Sequence, residues 1–205
     1  MLWTNALRLA GLALLCAICA APVSSPASAQ QSAPVQTPAP ETPAEPAQPE
    51  APTVVPIEVP ERPALVARGK AKWDDGFKAI TDAFVTLRAE AEKEKLEVGG
   101  KPVAVFIQSD DEGFTYEAML PLAAEPRSGA TFSGSVTAGK SPGGQALKFE
   151  HRGAYDDIES TYEAIAAYLD EKGLSARDEL IEEFVNETIG SDDTNLAVDI
   201  YVLLK

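Results

Sequence analysis

Cysteine is almost missing from this chain. Of 205 residues only Cys16 and Cys19 are cysteine, and both lie in an apolar stretch near the N-terminus. From residue 30 onward there is none, which excludes disulfides, thiolate nucleophiles and cysteine-ligated metals from that region. Histidine is scarcer still, because His151 stands alone. No Ser-His-Asp set assembles around it, and a single histidine before an Arg-Gly turn reads as structural rather than as a haem axial ligand. Positive charge is also short: 17 Lys and Arg face 32 Asp and Glu, for a net charge of −15. Nucleic acid and anionic lipid are therefore poor partners and cations favoured ones, although most of the acidic residues read as ordinary solvated surface.

Long apolar runs are absent as well. The longest, Leu9–Ala21, falls short of the roughly 20 residues a membrane span requires. It follows Arg8, decays into Pro22 and Pro26, and precedes Ala27-Ser28-Ala29. This is the order of an export signal over residues 1–29, cleaved before Gln30. Neither cysteine follows the small residue of a lipoprotein signal. A periplasmic or secreted location is expected, with no membrane span after cleavage. Residues 30–52 are Pro, Ala, Glu, Gln and Thr with almost no large apolar residue, as expected of a disordered linker. Residues 53–205 are long enough for one domain with a real core.

Within that domain an offset of 82 residues recurs. Trp73-Asp74-Asp75 returns as Tyr155-Asp156-Asp157, Ser109-Asp110-Asp111 returns as Ser191-Asp192-Asp193, and Glu117 falls on Asp199. Residues 64–122 carry 12 identities in 59 positions against the segment 82 residues on, without a gap. A duplicated unit is the simplest account.

Apolar spacing predicts one helix per copy. Trp73, Phe77, Ile80, Phe84, Leu87 and Ala91 form one stripe; Tyr155, Ile158, Tyr162, Ile165 and Leu169 form the other, ending before Gly173. The two Asp pairs fall in the first turns, where carboxylates favour the helix dipole. Strands are expected at Val54–Arg68, Val103–Ser109 and Phe114–Leu122, then at Gln145–Arg152, Leu180–Glu187 and Leu196–Leu204, with a short one near Thr131–Thr137. The Ser-Asp-Asp motifs read as turns, since they lack a complete calcium loop. The fold class that results is α+β: tandem β-α-β-β units forming an antiparallel sheet with two helices on one face.

Period-two alternation sorts the strand residues by face. Val198, Ile200 and Val202 suit the helix side, placing Asp199 and Tyr201 opposite. Phe114, Tyr116 and Ala118 pack inward, leaving Glu117 and Met119 opposite. Ile181 and Val185 suit the core, which assigns Glu182, Phe184 and Asn186 to the same open face as Asp199.

The second half then resembles a known family. Phe149-Glu-His-Arg-Gly-Ala-Tyr-Asp-Asp-Ile, a helix ending at Gly173, Glu182-Glu-Phe-Val-Asn and Val198-Asp-Ile-Tyr-Val together are similar to the GyrI-like effector-binding domain, found also in AraC- and MerR-type regulators. Pro63-Ala-Leu-Val-Ala-Arg-Gly and Phe114-Thr-Tyr-Glu-Ala carry the likeness into the first half. The resemblance implies a ligand cleft near a pseudo-twofold axis that takes hydrophobic, often cationic small molecules. It also implies a ligand-facing acid on the penultimate strand, matched by Glu182, and an acid opening the last strand motif, matched by Asp199. Some relatives are hydrolases using an acid and a tyrosine; here Phe184 stands where tyrosine is commoner. No segment reads as a DNA-binding module.

The expected protein is an exported, monomeric, stand-alone binding domain. Glu182, Asp199 and Glu117 supply charge, and Trp73, Tyr155, Phe184 and Tyr201 supply walls, with helix packing the competing role for Trp73 and Tyr155. No catalytic residue, metal or cofactor is assigned. A small hydrolase and a protein-interaction module are the alternatives.

Overall fold

The computed structural model describes residues 54–187 and 190–205; the expected export signal and linker lie outside them. Among the described residues there are eight strands and two α-helices. In chain order they are β1 (Val55–Val59), β2 (Pro63–Lys72), α1 (Gly76–Lys93), β3 (Val103–Ser109), β4 (Gly113–Pro121), β5 (Val136–Lys140), β6 (Gly144–Arg152), α2 (Ile158–Lys172), β7 (Ala176–Phe184) and β8 (Ala197–Leu204). Each helix grows out of a 3-10 turn that holds the repeated Asp pair, Trp73–Asp75 and Tyr155–Asp157. The apolar stripes do what their spacing dictates. Helix α1 buries Ile80, Phe84, Leu87 and Ala91, and the larger of these contribute about 1.5–3 kcal/mol each on leaving water. Helix α2 buries only Ile158 and Ile165, and stops at Gly173 in the left-handed conformation (φ 62°).

All eight strands join one antiparallel sheet in the order β1-β6-β8-β7-β3-β4-β2-β5. The order is palindromic in its logic. Each half of the chain contributes three neighbouring strands, and its first strand crosses to pair with the other half: β1 with β6, β5 with β2. The halves meet where β3 pairs with β7. Strands β1 and β2 stand six places apart, about 29 Å in a flat sheet, yet only Pro60, Glu61 and Arg62 connect them. Four Cα steps reach at most about 15 Å. The sheet must therefore curl until its edges approach.

Curling creates two cores. Leu65, Phe149, Val198, Ile200 and Leu120 pack between the sheet and the helices. Ala64, Val103, Val105, Met119, Ile181 and Leu203 pack together on the other face. Three element boundaries differ from expectation. Val54–Arg68 is two strands on opposite edges, broken where Pro60 lacks an N–H to donate. The short fifth strand lies at Val136–Lys140, fixed by its register with β2. Strand β7 begins four residues early and ends at Phe184, whose N–H donates to Pro102 O at 3.0 Å.

Candidate functional site

Strand β7 runs through the centre of the sheet, and its register decides where the acidic residues point. Glu182 lies opposite Ile200 and Glu183 opposite Asp199, and residues directly opposed in an antiparallel pair share a face. Ile200 packs beneath the helices, so Glu182 does too. This corrects the alternation reading, which put Glu182 and Phe184 on the open face with Asp199 and Tyr201. Ile181 is indeed buried, but in the second core. Hydrophobicity alone marked it as inward while leaving open which inside it occupied.

The Glu182 side chain is completely buried. Its carboxylate accepts from the Tyr155 hydroxyl at 2.9 Å and from the Tyr162 hydroxyl. Burial pushes its pKa up from 4.5 to about 7, against the opposing pull of the two tyrosine hydrogen bonds. Burial, reinforced by the nearby Glu182 charge, raises both tyrosines well above their ordinary value, so they stay neutral donors. An aromatic array flanks the carboxylate. Tyr155 stacks on Phe184 at 6.1 Å between centroids and meets Phe77 at 5.1 Å; Phe84 meets Phe184 edge-on at 5.1 Å. Helix α1 thus supplies Phe77 and Phe84, the second helical segment supplies Tyr155 and Tyr162, and β7 supplies the acid. Among the described residues no basic side chain pairs with Glu182.

The other anticipated residues are placed elsewhere. Asp199 faces away from the helices as expected, where Lys148 and Arg152 each donate to it at 2.8 Å. Its charge is already matched. Tyr201, on the same face, donates to Glu183 at 2.7 Å. Glu117, also on that face, accepts from Arg68 Nε at 2.9 Å. Trp73 is half exposed, packs on Phe114 at 5.1 Å and donates to Asp110 O at 2.9 Å, away from Glu182. Of the seven residues anticipated, the structure gathers Glu182, Phe184 and Tyr155 and separates Asp199, Tyr201, Glu117 and Trp73. His151 spends both ring nitrogens within the chain, on Thr161 Oγ1 at 2.9 Å and Ala154 O at 3.0 Å.

Tyr162, Phe77 and Phe84 were read only as helix stripe. The signal for Tyr162 was its spacing of seven from Tyr155, which sets two phenols on one side of a helical segment, a place where apolar residues would serve a plain core better.

The shared architecture extends to known proteins. The family profile described as the GyrI-like small molecule binding domain matches residues 53–205. No curated protein matches the chain by sequence. Among solved structures the fold is similar to EcmrR in its DNA complex (TM-score 0.64, 13% identity, 76% of this chain); this chain spans 58% of that one. It spans 98% of the EcmrR C-terminal domain (TM-score 0.62, 14% identity, 75% of this chain). A hydrolase from Listeria innocua is similar at TM-score 0.56 and 15% identity, covering 78% of this chain and 94% of its own. So is SAV2435 bound to tetraphenylphosphonium, at TM-score 0.52 and 10% identity, covering 75% and 94%. At such identities these likenesses are likenesses of fold, whereas the profile match spans most of the chain. Over residues 53–205, this chain belongs to the GyrI-like small molecule binding domain family.

Proposed function

We propose that the chain binds a hydrophobic organic cation at Glu182. The observation that carries this reading is a fully buried carboxylate with two phenol donors and, among the described residues, no cationic partner. Burying an unpaired anion is costly, and a cation with an apolar surface relieves that cost while covering Phe77, Tyr155 and Phe184. Such a cation over an aromatic face gains on the order of 2 kcal/mol when desolvated. Entry displaces the Tyr155 ring and the start of α2, the helix with less buried surface to lose. The tetraphenylphosphonium held by the structurally similar SAV2435 is the probe to use.

Isothermal titration of the full chain with tetraphenylphosphonium tests this. Saturable binding is expected, weakened at least about tenfold, or about 1.4 kcal/mol, in Glu182→Gln. Absence of binding to the wild type, or equal affinity in the variant, sinks the reading.

A second reading rests on the same carboxyl. With a pKa of about 7 Glu182 is poised for proton transfer at neutral pH, and the Listeria innocua relative is described as a hydrolase. It requires ester hydrolysis whose rate follows one titration near 7 and vanishes in Glu182→Gln.

The domain acts outside the cytoplasm on this proposal, supported by Arg8, the Leu9–Ala21 run and Ala27-Ser28-Ala29. Mass spectrometry of the exported protein then finds Gln30 as its first residue; retention of Met1 in a cytoplasmic fraction refutes it.

A further inference from the structure

The face of the sheet away from the helices holds a cavity of about 120 Å³. The two links that the curled sheet forces across this face border it: Pro60 and Arg62 come from the β1–β2 link, Ser141 and Pro142 from the β5–β6 link. Val103 and Ile181, both buried, form an apolar floor. Around it stand charges of both signs: the cations Arg62 and Lys101, and the carboxylate of Glu183. None of these three joins an ion pair with another, although they line one small space, and the two cations pair with no carboxylate elsewhere among the described residues. Among the described residues the Glu183 carboxylate accepts only the Tyr201 hydroxyl, at 2.7 Å, which leaves its second oxygen for another donor. Ser141 Oγ accepts from the Arg62 N–H at 3.1 Å and keeps its own hydroxyl proton to donate.

Opposite charges that face one cavity without meeting are complementary to a ligand that carries both. We propose that this cavity binds a small amino-acid-like zwitterion: its carboxylate faces Arg62 and Lys101, its ammonium faces Glu183, and a short aliphatic body lies on Val103 and Ile181. The volume sets the size. An apolar cavity of about 150 Å³ holds benzene, so a body of three or four carbons is the limit here. The site is separate from Glu182, which points to the other side of the sheet, and it stands or falls independently of the cation reading.

The test is an NMR titration of isotope-labelled full chain with L-valine, alongside 3-methylbutanoate and isobutylamine, which each lack one of valine's two charges. Valine is expected to shift the amide resonances of Val59, Ser141 and Tyr201 saturably, with the two single-charge analogues at least tenfold weaker. Glu183→Gln and Lys101→Ala should each weaken valine at least tenfold. Lys101 is exposed, so that variant keeps its fold, which the dispersion of the same spectra verifies. Equal affinity for all three compounds, no saturable shift with valine, or undiminished valine binding in a folded Lys101→Ala protein would overturn the proposal.

Discussion

Tyr155 donates its hydroxyl to Glu182 at 2.9 Å while its ring stacks on Phe184, two residues further along the same strand. One side chain therefore both stabilises the buried carboxylate and covers the aromatic array beside it. Tyr155→Phe keeps the ring and deletes the donor. Because the tyrosine bonds pull the Glu182 pKa down, the variant's carboxyl should titrate above the wild-type value of about 7. A carboxyl ¹³C titration reads this directly. The lost hydrogen bond should also lower stability by about 1 kcal/mol.

Stability should depend on pH in an unusual direction. In the unfolded chain Glu182 titrates near 4.5, and in the folded protein near 7, so the folded state holds the proton more tightly. Its contribution is complete below pH 4.5 and is lost as pH rises to about 7. The difference between those values amounts to about 3 kcal/mol for this fully buried group. Urea denaturation from pH 4.5 to 7.5 should show stability falling, and Glu182→Gln should flatten that slope. An unchanged slope in the variant would assign the dependence to other groups.

Cation affinity should run the opposite way. Only ionised Glu182 offers a charge, so tetraphenylphosphonium binding should strengthen about tenfold per pH unit up to about 7 and level off above it. Calorimetric titrations at pH 5.5, 6.5, 7.5 and 8.5 check both the slope and the plateau. A pH-independent affinity would mean that the carboxylate takes no part.

Asp199 is expected to matter for stability alone. It ties Lys148 and Arg152 across the β6–β8 pair at 2.8 Å each, with little of its own side chain exposed. Asp199→Asn removes the charge that both partners share. A loss of about 1–2 kcal/mol in chemical denaturation is expected, with phosphonium affinity unchanged. Loss of that affinity without loss of stability would place Asp199 in the cation site after all.

Glu90 offers a contrasting pH signature. Hydrogen bonds from Ser133 and Lys93 hold its carboxyl down at about 2, tying the 122–135 connection to α1. That tie is present above pH 4.5 and is lost as pH falls toward 2. Hydrogen-exchange protection factors in the connection, each taken against the intrinsic rate at the same pH, should fall on acidification, and already at neutral pH in Ser133→Ala.

Local chemistry was sufficient for much of this protein. The 3, 4, 3, 4 spacing from Phe77 to Ala91 is a helix because no other conformation aligns those residues. Gly173 ends α2 because a left-handed residue there suits glycine. The order of motifs from Phe149 to Val198 pointed to the family, and the alternation in β4 and β8 sorted their faces correctly. The paired Asp residues fell where the helical segments begin.

What local chemistry could not decide was the side to which β7 turns its acids. Alternation states that Ile181 and Glu182 face opposite ways, but choosing a side from hydrophobicity assumes a single apolar face. Here the curl of the sheet, imposed by three-residue links between distant strands, makes both faces apolar. Ile181 is buried in one core, and Glu182 is buried in the other with Tyr155 and Tyr162. Only the register of β7 against β8, a pairing between distant stretches of chain, sends Glu182 beneath the helices and leaves Asp199 and Tyr201 on the far side.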